Sequence, residues 1–493
     1  VDVGTPLADQ DELQSLLDIT GQLTRMLTRT NADRRREMLR PGDILIKPKL
    51  GDISSGDFAR TLDTIALGRD ATAVHAAALA RLALSEEDFA AHTEPLRRAS
   101  TDIVSTQELR IVADASKVEK GFLLRTMRIP SDPELHVNVL EQSIGRAYGL
   151  SLFEEVSYDA EADGVSVRPR RKTEGPNYLR MGLNMAGDLS GRTRFSLGAS
   201  ITATELNLPG AEWRSEIEVG SDARLLTELY QPFSALGGGF LAPSVQFRAY
   251  NYGLYLDEDL VAEYRVRQLA GTLAVGTELS NWGEMRVGIT EGIAGTNRIV
   301  GDPILNNIDD DLGLVFFRFS MDTLDSLFFP ASGLRGKFEW RRSDPKIGGE
   351  EAYEAIEFDG AFAANTGRHR VILAAKGGSV YDGTAPLLQA FQLGGFLNLS
   401  GLEPDQLTGQ QMFLGRAIYL REMVRSLFLP TYLGMSLEAG EVWQDKDDVS
   451  LADLRIAGSV FIGFDTILGP LYLGGGWAEG GDRAAYIRMG KTF

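Results

Sequence analysis

From about residue 176 to its end the chain alternates between apolar and polar positions. In "NYLRMGLNMAGD", Leu179, Met181, Leu183 and Met185 fall on one side, and Arg180, Gly182 and Asn184 on the other. In "RFSLGASITATEL", Phe195, Leu197, Ala199, Ile201 and Ala203 oppose Ser196, Gly198, Ser200 and Thr202. "APSVQFRAYN", "DLGLVFFRFSMD", "GLRGKFEWRR", "AIEFDGAFAAN" and "LRIAGSVFIGF" repeat the pattern, with turn-like segments between them. A period of two belongs to β-strands, whose successive side chains point to opposite faces. The last run, "AAYIRMGKTF", keeps it almost to the end: Tyr486, Arg488, Gly490 and Thr492 on one face, Ile487 and Met489 on the other, and Phe493 last.

Two architectures use such strands. A water-soluble sandwich buries the apolar faces of two sheets against each other, whereas a membrane barrel shows them to lipid and turns its polar face to the lumen. The alternating region is too long for one sandwich. At roughly 20 residues per strand and connection it predicts about sixteen strands, an even number suited to a closed barrel. Closure would also hold the terminal strand, because the last strand must pair with the first. Tyr252, Tyr255, Trp282, Trp340, Trp443 and Trp477 lie near predicted strand ends and are candidates for interfacial girdles.

Two segments of different character precede the barrel. Residues 1–101 read as helical. "DELQSLLDITGQLTRMLTR" puts Leu13, Leu16, Leu17, Leu23, Met26 and Leu27 on one face. Ser55 or Asp57 can cap a second helix carrying Phe58, Leu62 and Ile65. "GDILIKPKLGD" between them reads as an extended connector. Residues 102–175 give a strand ("ELRIVADA"), two amphipathic helices ("EKGFLLRTMRI" and "DPELHVNVLEQSIGRAYGL", the second opened by Asp132 and Pro133) and a hairpin turning near Asp163-Gly164. That order, βααββ, predicts one compact α+β domain.

Composition narrows the function. A net charge of −19 over 493 residues argues against nucleic acid as a partner, which calls for a basic face. The absence of cysteine excludes disulfides, thiolate metal sites and thiol catalysis, and is compatible with passage through a periplasm in the unfolded state. His75, His92, His136 and His369 show no ligand spacing, so no metal and no cofactor are expected. No run of 18 apolar residues predicts a transmembrane helix. "VFIGFDTILGPLYLGGGWA" is interrupted by Asp465 and Pro470 and reads as two strands around a turn. "VDVGTPLADQ" has neither the basic start nor the apolar run of a signal peptide, and the front reads as truncated or processed.

Several motifs resemble those of the outer-membrane assembly-factor and two-partner-secretion transporter superfamily. "DTLDSLFFPASGLRGKFEW" resembles its D…FP-x-x-G hairpin, "GMSLEAGEVW" a late barrel strand and "TILGPLYLGGGWA" its penultimate strand. Phe493 resembles the end signal read by the barrel-assembly machinery. "IGRAYGLSLFEEVSYDAE" looks like the end of a POTRA domain, the periplasmic module of these proteins. "VDVGTPL", "DILIKPKLGDISSGDF" and "EGPNYLRMGL" are similar to the tail, connector and barrel start of patatin-like phospholipases fused to such barrels, the type Vd autotransporters.

The resemblance implies a mainly β protein: a hydrolase tail (1–101), a POTRA domain (102–175) and an outer-membrane barrel (176–493). Its implied partners are outer-membrane lipids, the barrel-assembly machinery and, for the intact protein, a phospholipid substrate; a homodimer is compatible with a lipid-facing barrel. The implied place is the bacterial outer membrane, with the POTRA domain periplasmic and the hydrolase on either side. The implied site is a loop folded into the lumen, "GGFLNLSGLEPDQLTGQQ", beginning at Gly394 and Gly395, where Leu399-Ser400-Gly401 stands in the place of V-R-G. Ser400 replaces an Arg that normally pairs with a barrel carboxylate, and Glu438 stands where that carboxylate is usually Asp. Arg416 or Arg421 is a candidate partner for Glu438; the plain alternative is that Glu438 lines a wet lumen. An unpaired lumen carboxylate makes polypeptide transport less expected.

Patatin-like catalysis needs a Ser on a G-x-S-x-G elbow and an Asp in D-G-[AG]. No Ser in the chain has Gly at both required positions, and the D-G-A at Asp359, Gly360 and Ala361 lies in an alternating run. The chain therefore carries no catalytic residue of that chemistry, and its expected role is to anchor a Ser–Asp lipid acyl hydrolase lying upstream. The alternatives are a secretion or assembly pore that captures substrate strands through the POTRA domain, and a diffusion porin.

Overall fold

The computed structural model describes the chain except residues 4–21, 23–25, 27–32, 52, 54–60, 99–102, 106–107, 113–122, 125, 128, 131–133, 150–152, 161–163, 173–176, 189–192, 205, 208, 235–237, 257–258, 303–305, 425–428, 467 and 491–493. It forms two units, Val1–Thr101 and Asp102–Phe493. Most of the helix expected over 11–29, the caps at Ser55 and Asp57, and Phe493 lie outside the described residues.

The first unit contains helices Asp63–Ala73, Ala76–Leu79 and Glu86–Arg98. The first two bury no residue, and Leu62, Ile65 and Phe89 are exposed.

The second unit opens with a small α/β module. Strands β1 (Ile103–Ser105), β2 (Glu108–Ile111) and β3 (Glu134–His136) precede the helix Val137–Gly149, followed by β4 (Phe153–Ala160) and β5 (Gly164–Arg171). β1 pairs with β3, and the other three form a sheet in the order β2-β5-β4. Leu140, Ile144 and Ala147 follow helical spacing and are buried against Leu123, Met127, Phe153, Val165 and Val167. Arg146 fixes the helix by donating to the Met127 carbonyl at 3.0 and 3.1 Å. Tyr178, on the first barrel strand, packs against this core.

Sixteen antiparallel strands then close into a barrel. They begin with β6 (Asn177–Asp188), β7 (Thr193–Ala203), β8 (Glu212–Gly220), β9 (Ala223–Pro232) and β10 (Gly239–Leu256). β11 (Asp259–Leu279), β12 (Gly283–Gly301), β13 (Asp309–Asp322), β14 (Gly333–Ser343), β15 (Tyr353–Thr366) and β16 (His369–Gly383) continue the wall. A hairpin of β17 (Phe391–Leu393) and β18 (Leu407–Gly409) leaves the wall, which resumes with β19 (Gln411–Val424) beside β16. β20 (Thr431–Trp443), β21 (Arg455–Thr466), β22 (Gly469–Ala478) and β23 (Arg483–Gly490) complete it. β23 closes on β6 with Tyr486–Gly490 opposite Asp188–Asn184. We call the rim where β6 begins the near end, and the opposite rim the far end.

The alternation settles which face is which. Leu179, Met181, Ile201, Ile217, Leu273, Ile293 and Leu437 are exposed on the outside, while Ser196, Glu216, Ser436, Glu438 and Ser459 are buried on the lumen side. A sandwich would have buried the first set. The cost of a charge on the lipid face tests this: Ile217→Arg is expected to destabilise the barrel by roughly 2–4 kcal/mol if its position is near mid-membrane. The midpoint of heat-induced loss of the compact, fast-migrating form on a gel checks it.

The expected girdle needs correction. Trp282 and Trp477 are exposed at strand ends and Trp340 is half-buried, but Tyr252 and Trp443 are buried. The buried cluster of Tyr252, Ala262, Tyr264 and Val266 packs with Leu387 and Leu388 of the β16–β17 connection, and the Tyr255 hydroxyl donates to Glu403 at 2.9 Å. Tyr252 and Tyr255 serve the chain that enters the lumen, not the lipid boundary.

Candidate functional site

The β17–β18 hairpin carries a tip, residues 394–406, that seats against the wall made by β19–β23. Three of its non-glycine residues have positive φ: Leu397 (57°), Leu399 (72°) and Asp405 (61°). L-residues adopt that region only when their surroundings hold them there. The holding group is Glu438, which is fully buried. One carboxylate oxygen accepts the Leu399 and Ser400 amides, each at 2.8 Å. The other accepts the Ser400 hydroxyl at 2.7 Å and the Ser436 hydroxyl at 2.6 Å. Ser436 also meets the Ser459 hydroxyl at 2.7 Å. Charge-assisted hydrogen bonds of this kind are the strong ones, and four donors offset the desolvation of the carboxylate.

The neighbouring bonds continue the latch. The Gly401 amide donates to the Tyr486 hydroxyl at 2.8 Å, and the Ser400 hydroxyl accepts the Leu397 amide at 2.9 Å. The Asn398 side chain donates to the Gly394 carbonyl at 3.1 Å, and the Gly394 amide to the Asn398 carbonyl at 2.9 Å. Gly394, Gly395 and Gly401 all have left-handed φ. Leu399 and Leu402 are fully buried beside Leu393, Met412 and Leu414. At the foot of the tip, Phe396 sits among Phe461, Tyr472 and Tyr486, with ring centroids 5.3–5.6 Å away.

Among the described residues neither candidate arginine makes a hydrogen bond or close ion pair with Glu438. Arg416 is opposite Glu438 in strand register, but its guanidinium donates to the Leu397 carbonyl. Arg421 is five residues further along β19, an odd step that turns its side chain to the outer face. Serines and backbone amides do the work instead, so the loop is latched without the Arg expected at position 400. Ser436, Ser459 and Tyr486 were not singled out from sequence. Alternation placed Ser436 on the face of Glu438, but nothing marked the register that sets Ser459 opposite it on the next strand.

Across the lumen the wall is charged. Arg286 meets Glu284 at 2.7 Å and Glu228 at 3.1 Å; Arg318 and Lys337 meet Glu339 at 2.8 and 3.1 Å; Arg341 meets Glu357 and Arg335 meets Asp359, each at 3.7 Å. A cavity of about 660 Å³ beside the loop tip is lined by residues including Arg194, Asp359, Lys376, Arg416 and Arg488. Asp359 of the D-G-A motif is thus a lumen carboxylate paired with Arg335. No group of His, Asp and Glu suited to a metal occurs among the described residues.

Residues 240–449 match the model of the Omp85 superfamily domain. No curated protein matches the chain. Among solved structures it is similar to BamA from Haemophilus ducreyi lacking POTRA domains 1–3, with TM-score 0.59, 12% identity, and coverage of 79% of this chain and 85% of that one. It is also similar to CdiB from Escherichia coli (TM-score 0.54, 13% identity, 99% of this chain and 100% of that one). A third is CdiB from Acinetobacter baumannii (TM-score 0.53, 10% identity, 94% and 97%). At these identities the likeness is one of fold.

Proposed function

We propose that this chain is a bacterial outer-membrane barrel that translocates or assembles polypeptides, with its near end and the small module, read as a POTRA domain, on the periplasmic side. The observation that carries this reading is the latched loop. The tip gives two backbone amides and a hydroxyl to the buried Glu438 carboxylate of the wall, a fixed plug that an open pore for small solutes does not require. The missing Arg, which argued against transport on sequence grounds, loses its force because Ser400 and Glu438 make the equivalent lock. The superfamily match over residues 240–449 supports the same reading.

A second reading keeps the patatin resemblance: the barrel anchors a lipid acyl hydrolase whose Ser–Asp dyad lies upstream. The helices at 63–98 favour it, since Leu62, Ile65 and Phe89 are exposed and would suit a further packed domain. One experiment separates the two. Cells lacking the gene are compared with the parent for exported and outer-membrane polypeptides, and the full gene product is assayed beside this chain for esterase activity. The first reading expects specific polypeptides to disappear from the surface or medium. An unchanged polypeptide profile with esterase activity in the longer product alone would overturn it in favour of the anchor.

A further inference from the structure

Two pieces of chain enter the lumen from opposite ends, and they meet. The loop tip comes from the far end and brings Phe396. The turn 323–332 between β13 and β14 comes from the near end and brings Phe329. Although it belongs to a turn, Phe329 is only 1% exposed. Its ring stacks on Tyr432, with centroids 4.5 Å apart and planes at 16°, and lies 5.3 Å from Tyr472. Tyr472 is in turn 5.6 Å from Phe396, so one ring touches both intruders.

Glycines on the wall make room for this cluster. A Cβ on Gly463 would fall 2.7 Å from the Phe329 ring, and one on Gly434 2.3 Å from the Phe461 ring. The turn is tied in place by β15, through Asn365 donating to the Ala331 carbonyl at 2.9 Å, by β16, by β22 and by itself. Arg370 donates to the Phe329 carbonyl and lies 4.7 Å over the Tyr432 ring. The Tyr472 hydroxyl donates to the Phe328 carbonyl at 3.4 Å. Asp325 accepts the Ala331 and Ser332 amides at 2.8 and 3.1 Å, closing the turn on itself.

We propose that the near-end turn and the far-end loop tip are coupled latches: through Phe329, Tyr472 and Phe396, the seating of each favours the seating of the other. Withdrawing Phe329 leaves a void beside Tyr472, and rings lining a void lose dispersion contacts outright. The pocket that holds Phe396 then loosens. An event at the near end that draws the turn out thereby frees the loop at the far end, and the coupling must run equally in reverse.

The absence of native cysteine allows a clean test on the full chain in lipid. Asn398→Cys reports the loop tip and Ala331→Cys the turn, each by its rate of thiol labelling. Phe329→Ala is expected to speed labelling at Asn398→Cys, and Phe396→Ala to speed it at Ala331→Cys, by similar factors of roughly 5–150-fold. The double variant should fall short of the product of the single effects. Should Phe329→Ala fail to fold, Arg370→Gln unties the turn without removing a ring, and the same direction of change is expected. Unchanged labelling at the distant site, or strictly multiplicative effects, would overturn the coupling. So would an equal acceleration by Phe195→Ala on the outer face, which would mark general loosening.

Discussion

Glu438→Ala is expected to unseat the lumen loop. Two backbone amides and the Ser400 hydroxyl lose their acceptor in a fully buried place, while Ser436 retains Ser459. A buried donor left unpaired costs about 1–3 kcal/mol, so the two amides alone forfeit roughly 2–6 kcal/mol. The loop escapes that cost by leaving, and protease cleavage between residues 394 and 406 should appear in the variant and be absent from the parent. Glu438→Gln should fall between, because an amide offers one acceptor oxygen where the carboxylate offers two. The lengths of the partners matter as well. The motif this loop resembles pairs a long Arg with a short Asp; here a short Ser meets a long Glu. Ser400→Arg or Glu438→Asp alone is therefore expected to weaken the latch. The two together should recover part of the loss, a coupling that a double-mutant cycle reads directly.

Gly401→Ala is expected to lift the tip by a different route. Its φ of +114° disfavours any L-residue, and a Cβ there would lie 2.4 Å from the Ala478 nitrogen and 2.5 Å from the Trp477 carbonyl carbon. Both neighbours are backbone of β22, so neither can swing aside. Strain of about 1–3 kcal/mol from the dihedral adds to about 1–3 kcal/mol from overpacking. Gly395→Ala is the control. It has a similar φ of +104°, but its Cβ would come no nearer than 3.5 Å to Pro404, so it should show the dihedral strain alone. The difference between the two variants in heat-induced loss of the fast-migrating form checks the argument.

Much of the architecture was legible because lipid and a wet lumen impose opposite demands on neighbouring residues. Leu179 and Met181 are exposed while Ser196 and Ser200 are buried, as a closed sheet with an apolar outer face and a polar inner one requires. The loop could be located from Gly394 onward by its resemblance, but its partners could not be read. Alternation fixes the face on which a side chain lies, not which strand it will meet across a lumen. Arg416 shows the limit: register does bring it opposite Glu438, yet the loop carbonyl at Leu397 takes its guanidinium. The aromatic girdle failed in part for a related reason. An aromatic ring near a strand end can face either way: Tyr252 turns toward the connection at the far end, and Trp443 is buried. Phe329 gave no signal beyond its place in the FP-x-x-G hairpin, because a turn residue is ordinarily solvated.

The central claim is that a latched loop obstructs the lumen of a membrane-embedded barrel, and current through single molecules in a planar bilayer tests it most directly. The intact chain should show a small conductance, and deletion of residues 396–404 should raise it several-fold while the barrel still migrates as a folded species. An intact chain that already conducts like an open sixteen-stranded pore, with no change on deletion, would contradict the account.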